Sequence, residues 1–228
     1  MRQLERHKIP FEFVFDCDAN ELRSSDLAHF GPSDLKRPHQ SLVLKHLCAW
    51  QMACARNYHR ILVFEDDVIL ARDFRRRFAD AMAAANLLQD GWLVFLGGAD
   101  TRVPDRFFLE QGLLVPQSIA TAEGYVTDRI ACQRRIAWCA VNKIVLPADH
   151  LIRHADMACG TAHYWLPEAI VEQGSVTGLF DTVLDNSRMK HSRIINIFRN
   201  RWNKFQRRKA RKWWIQLRHR LSGLLNLS

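Results

Sequence analysis

The stretch RILVFEDDVIL (Arg60–Leu70) constrains the fold of this chain more than any other. Four apolar residues, Ile61 to Phe64, run directly into Glu65, Asp66 and Asp67, and apolar residues then resume. A short β-branched and aromatic run of this kind predicts a strand buried on both faces. Three carboxylates at its end repel one another and raise one another's proton affinity unless a cation or a dense set of donors sits among them.

The segments around this strand indicate the fold class. Residues 2–8 are charged and read as the end of a helix that Pro10 breaks, and FEFVF (Phe11–Phe15) predicts a short strand. From Asp34 to Tyr58 the residues Leu35, Leu42, Leu47, Trp50, Cys54 and Tyr58 recur at helical steps. Beyond the acids, Asp73 predicts the cap of a helix with Phe74, Phe78, Met82 and Ala85 on one face, and Gly91 predicts its end. WLVFL (Trp92–Leu96) predicts a second buried strand, closed by Gly97 and Gly98. Residues 101–128 read as a loop or hairpin, and residues 129–144 give no firm periodicity. PADHLIRHADM (147–157) predicts a helix start with Asp149 as its cap, and HYWLPEAIVEQGS (163–175) predicts a short strand and a loop. Alternation of strand and helix predicts an α/β sheet with a parallel portion. The chemistry of such sheets lies beyond the carboxyl ends of the strands, where Glu65, Asp66, Asp67 and Asp100 fall.

Charge divides the chain in two. The net charge is +9, yet residues 188–228 hold 13 Lys and Arg with no Asp or Glu, leaving 20 basic and 24 acidic residues in 1–187. This shift, near Asn186–Arg188, separates an α/β domain over 1–187 from a basic tail over 188–228. In the tail, Ile194, Phe198, Trp202 and Phe205, then Trp213, Leu217, Leu221 and Leu224, follow steps of three and four. A basic amphipathic helix with aromatic residues on its apolar side predicts binding to an anionic membrane surface. Packing of the stripe onto the body is the second reading. Nucleic acid is the third, because a regular Trp, Phe and Leu stripe suits a lipid interface better than a groove. The six cysteines form no CxxC pair, no secretory apolar core opens the chain, and no apolar run reaches the length of a membrane span. These features predict a cytoplasmic protein associated peripherally with the inner face of the cell membrane.

The acids admit three readings. They are solvated residues at a strand end that cap the next helix, or the Mg²⁺ pocket of a receiver domain, or the acidic motif of a nucleotide-sugar transferase. The receiver reading fails because about sixty residues precede the acids and because Lys143 is followed by Ile144 instead of proline. The third reading has independent support. HQSLVLKHLCAW (39–50), ILVFEDDV (61–68), and PADHLI (147–152) with YWLPEAIVEQGS (164–175) stand in the order and at the spacing of a known family. From about Pro10 to Asp185 the chain resembles glycosyltransferase family 25, the lipopolysaccharide and lipooligosaccharide galactosyl- and glucosyltransferases.

The resemblance implies a GT-A-like, Rossmann-type sheet with flanking helices that binds a UDP-sugar and a divalent cation, Mn²⁺ or Mg²⁺. A hard cation held by carboxylates neutralises the charge that develops on a diphosphate leaving group. On this reading Asp67 is the metal ligand, and Glu65 or Asp66 orients the ribose or the cation's water. An inverting transfer also needs a carboxylate to deprotonate the acceptor hydroxyl. Asp149 is the first candidate base and Asp128 the second, with a helix cap an equally good reading of Asp149. His46 and His150 are candidate hydrogen-bond donors to phosphate or sugar, and Gln173, Gly174 and Ser175 a candidate contacting loop. Three departures bear on the donor site, one of them the family's Thr-x-Ala-Tyr-like strand, which VTDRIACQRRIA (126–137) keeps poorly. Family members open with a strand of the VINL type, whereas this chain starts within the helix expected to follow it, and Lys45 replaces the family's Ser before His46. The expected function is transfer of a hexose from a UDP-sugar to a lipid-linked lipopolysaccharide core or related glycan. The alternative is a catalytically inactive relative that binds saccharide or serves in assembly.

Overall fold

The computed structural model describes residues 2–98, 101, 104–108, 112–174, 198, 202 and 205–225. Three short or long helices come first: α1 (Arg2–Arg6), α2 (Ser24–Leu27) and α3 (Arg37–Ala55). They are followed by β1 (Arg60–Phe64), β2 (Val68–Leu70), α4 (Phe74–Ala85) and β3 (Trp92–Phe95). A 3₁₀ turn (Asp105–Phe108) leads to β4 (Val115–Pro116), β5 (Gly124–Asp128), α5 (Arg129–Val141), α6 (Ala148–Cys159), β6 (Ala162–Trp165) and β7 (Val171–Gln173). A π-type turn, Phe205–Ala210, opens into the last helix, α7 (Arg211–Leu225). The expected boundary near Asn186–Arg188 lies outside the described residues.

Five strands form the main sheet in the order β1-β5-β3-β6-β4. β5 runs antiparallel to both β1 and β3, so these two point the same way, and β6 is parallel to β3. The carboxyl ends of β1, β3 and β6 therefore share one edge with the amino end of β5. β2 and β7 form a separate antiparallel ribbon.

The sheet is the middle of three layers. Leu93 and Phe95 of β3 and Tyr125 of β5 face a core built with Val43, Leu44, Leu47 and Trp50 of α3, Cys132 and Cys139 of α5, and Leu151 and Ile152 of α6. Trp92, Val94 and Val126 face the other core, with Phe74, Ala81 and Ala85 of α4, Val171 of β7 and Ile170 just before it. Every residue of β3 is buried, as a continuous apolar run requires when helices cover both faces. This is the expected α/β class, a mixed sheet flanked by helices with a Rossmann-like layering.

Some expectations need correction. Phe11–Phe15 is extended but pairs with no described strand, and Phe15 is 71% exposed. Alternation gave it the look of a strand, but pairing depends on what lies alongside. Asp73 occupies the cap position of α4 without a capping hydrogen bond; its carboxylate instead meets Arg76 and Arg77. α4 ends at Ala85, and Gly91 (φ +95°) serves the turn into β3 instead. The cap of α6 is Pro147, and Asp149 lies two residues further in, within the first turn. Residues 129–141 form α5, and Arg135 is buried with its apolar residues, so the buried face does not show as an apolar period in the sequence.

Candidate functional site

The edge where β1, β3 and β6 end collects carboxylates from three parts of the chain. Glu65 extends β1 by one residue, its N–H donating to the carbonyl of Glu123 (3.1 Å) just before β5. The Glu123 carboxylate turns back over the end of β3, where it accepts from Gly98 N (2.7 Å) and from Thr121 Oγ1 (2.8 Å). A Cβ on Gly97 would stand 2.0 Å from Glu123 Oε1, and Gly98 has φ +75°, so this close approach requires the Gly-Gly pair. Trp165, the last residue of β6, donates its indole N–H to the Gly97 carbonyl (2.8 Å) and holds that turn from the other side.

The turn at Asp66 and Asp67 is pinned by the ribbon. Val68 pairs with Gln173, and Gly174 N donates to the Asp67 carbonyl (2.6 Å). Gln173 and Gly174 thus stand directly beside the acids, while Ser175 and Asp100 lie outside the described residues. Asp149 arrives through α6. That helix precedes β6 and runs against it, so its first turn sits at the strands' carboxyl edge. Asp149 Oδ1 accepts from His150 N (2.9 Å), and a helix start favours its negative charge.

The convergence is electrostatic as well as geometric. The Glu65 carboxyl is pushed from 4.5 up to about 8, first by burial and then by the charges of Asp67, Glu123, Asp149 and Asp66. Among the described residues, no three acid, His or Cys side chains stand close enough to enclose a metal ion by themselves. Mg²⁺ and Mn²⁺ sites that bind phosphates do not need such a cage, because one or two carboxylates complete a shell with phosphate oxygens and water. A set made only of carboxylates, crowded enough to keep Glu65 protonated, fits a hard cation of this kind. Asp67 would hold it, with Glu65 or Asp66 placed to orient the ribose or the cation's water.

The other candidates lie elsewhere. Asp128 ends β5 at the opposite edge, where it caps α5 through Ala131 N (2.7 Å) and also accepts from Gly91 N (2.5 Å). It lines a cavity of about 210 Å³ with His59, Arg60, Trp92 and Arg129, well apart from the acids. His46 is only 4% exposed and lies in the core under α3. Its Nδ1 is 2.9 Å from the hydroxyl of Tyr125, which also accepts from Trp50 Nε1 (2.9 Å). Burial, and to a lesser degree Arg135, lower His46 from 6.5 to about 4, so it is a neutral core residue. Glu123 was not among the sequence candidates. Its one signal is an acid placed immediately before the strand GYVTD, which carries weight only once β5 is known to lie between β1 and β3.

A layered α/β sheet with carboxylates gathered at its carboxyl edge defines a Rossmann-like protein with an acidic strand-end site. Comparison with known proteins agrees with the resemblance read from the sequence. Residues 1–105 match the model of glycosyltransferase family 25 (LPS biosynthesis protein). A mouse protein described as inactive glycosyltransferase 25 family member 3 is 25% identical over 160 residues, which are 64% of this chain and 27% of the mouse protein. The chain thus spans about a quarter of the length of the curated relative it matches.

Proposed function

We propose that the protein transfers a hexose, galactose or glucose, from a UDP-sugar to a lipid-linked lipopolysaccharide or lipooligosaccharide core or related glycan, with inversion and with help from Mn²⁺ or Mg²⁺. The observation that carries the reading is the meeting of Glu65, Asp66, Asp67, Glu123 and Asp149 at one sheet edge, where burial first and then the neighbouring carboxylates push Glu65 up to about 8. The cation, when bound, offsets the charge of the diphosphate as it leaves. The chain's own residues do the rest. Asp67 anchors the cation side, and Glu65 or Asp66 orients the ribose. Gln173 and Gly174 line the flank that the ribbon fixes. Asp149 takes the proton from the acceptor hydroxyl as the new C1–O bond forms and the C1–O bond to the diphosphate breaks, releasing UDP. The basic tail brings the enzyme to the membrane surface that carries the acceptor, at the inner face of the cell membrane. No described helix is long and apolar enough to cross a membrane.

The second reading, a non-catalytic relative that binds saccharide or serves in assembly, is favoured by the description of the mouse relative as inactive. Slow release of UDP from UDP-galactose or UDP-glucose, with water as acceptor, separates the two. Transferase function predicts release that depends on Mn²⁺ and disappears with chelator or in Asp67→Asn. Absence of release from either donor, by protein that still binds UDP, would favour the non-catalytic reading.

A further inference from the structure

Away from the acids, three side chains that sugar transfer does not use stand in a line. Asp156 of α6 is fully buried, the His163 side chain of β6 is 8% exposed, and Ser118, which follows β4, is exposed. His163 Nε2 lies 2.6 Å from Asp156 Oδ2, and His163 Nδ1 lies 2.8 Å from Ser118 Oγ. Asp156 is paired with the Arg135 guanidinium and is therefore a carboxylate, which only accepts. It has lone pairs enough for both Arg135 and His163. The neutral imidazole accordingly carries its proton on Nε2 and donates it to Asp156, which leaves Nδ1 to accept from the Ser118 hydroxyl.

The line is held from several sides. Gln117 N donates to the His163 carbonyl (3.2 Å), continuing the antiparallel pairing of β4 with β6, and Ile119 is buried, so Ser118 is set between two fixed residues. The Phe95 ring meets the imidazole edge to face, with centroids 5.2 Å apart at 85°. Arg153 of α6 brings its Nε to 3.2 Å from Ser118 Oγ, a cationic donor beside the same oxygen. An exposed hydroxyl has water for a partner, so burial does not oblige Ser118 to bond with His163. It stands instead between a base and a cation, the surroundings that activate a serine for attack on a carbonyl. Because β4 runs antiparallel to β6, Ser118 lies toward the edge where β6 begins, across the sheet from the acids.

We propose that Ser118 is a nucleophile for short-chain carboxylic esters, with His163 as its base and Asp156 fixing the ring. This is a second activity that does not rest on sugar transfer. Ser118 Oγ bonds to the ester carbonyl carbon while His163 Nδ1 takes the hydroxyl proton, and Arg153 Nε–H offers a donor to the carbonyl oxygen as it becomes negative. The bond from that carbon to the alcohol oxygen then breaks, and the alcohol leaves with the proton from Nδ1. Water follows: Nδ1 takes one of its protons, its oxygen bonds to the acyl carbon, and the acid departs as Ser118 regains its proton. The exposure of Ser118 suits a small acyl group such as acetyl.

The test uses the full chain, a fluorophosphonate probe and p-nitrophenyl acetate. The parent is expected to take up a single phosphonyl group, located on Ser118 by peptide mass spectrometry. It should release nitrophenol at least about 100-fold faster than Ser118→Ala, the usual share of a positioned base with its nucleophile. Ser118 is exposed, so Ser118→Ala should melt as the parent does and the comparison involves no change in the core. His163→Gln should lose labelling and ester cleavage by a similar factor while its melting stays cooperative; if it does not fold, Ser118→Ala decides alone. Equal nitrophenol release by the parent and Ser118→Ala, or a label on other serines with Ser118 unmodified, would overturn the proposal. Labelling of folded His163→Gln at the parent rate would overturn it too. Ser118→Ala should bind UDP as the parent does, so failure of the transferase reading would appear separately, as lack of UDP binding by both.

Discussion

Glu65 is held protonated to about pH 8 by burial and by four neighbouring carboxylates, and this has a consequence for stability. The folded state binds a proton that the unfolded chain, with an ordinary value of 4.5, has already released. Stability from this group is therefore present below about pH 4.5 and is lost as pH rises toward 8. In chelator-treated protein, melting temperature should fall across this window, and Glu65→Gln should flatten the fall; an unchanged slope would remove Glu65 as its source. His46 acts in the opposite sense. Its lowered value means that stability is present above about 6.5 and is lost as pH falls toward 4. At Asp149 the prediction separates binding from chemistry. Asp149→Asn should keep UDP affinity within about threefold and reduce turnover by about 100-fold or more, the usual share of a general base. Parallel losses of affinity and turnover would make Asp149 a donor contact instead.

At the scale of elements, one polar cluster fastens α5, α6, β5 and β6 together. Arg135 and Asp156 are fully buried and form a two-pronged pair at 2.7 and 2.8 Å. Asp156 also meets His163 Nε2 (2.6 Å), Arg135 donates to Thr127 Oγ1 (3.1 Å), and the guanidinium lies 5.2 Å from the Trp50 ring centroid. Asp156→Ala, which strands a buried guanidinium, should cost about 3–5 kcal/mol in urea unfolding, whereas Arg135→Met with Asp156→Leu should cost much less. Additive losses in the double variant would contradict this account. The cluster also explains what was legible in the sequence. α3, α4 and β3 could be read because their apolar residues lie at regular steps. α5 could not, because nothing local marks Arg135 as interior: its partner is on the next helix. Phe11–Phe15 shows the converse, a period-two pattern with no strand beside it.

For the molecule as a whole, the division into an acidic body and a basic tail sets how it meets its surroundings. Vesicle binding should weaken steeply between low salt and physiological ionic strength, where the screening length falls to about 8 Å. Replacing both Trp213 and Trp214 by Ser should weaken binding at every salt concentration, because the aromatic contribution is not screened. A salt-independent affinity, or a double variant that binds normally, would argue against interfacial docking. The candidate site was legible in part for a related reason. The acids of β1 announce themselves in one short run, but Glu123 and Asp149 join them only through strand order and the direction of α6, and His46 and Asp128 looked suitable until topology carried them away.

The central claim is that the acids at the carboxyl edge form a cation-dependent site for a nucleoside diphosphate. Calorimetric titration of UDP into the protein with Mn²⁺, with chelator, and into Asp67→Asn tests it most directly. The account predicts saturable one-to-one binding with Mn²⁺ that weakens at least tenfold on chelation and in Asp67→Asn. Equal binding in all three conditions, or none in any, would contradict it.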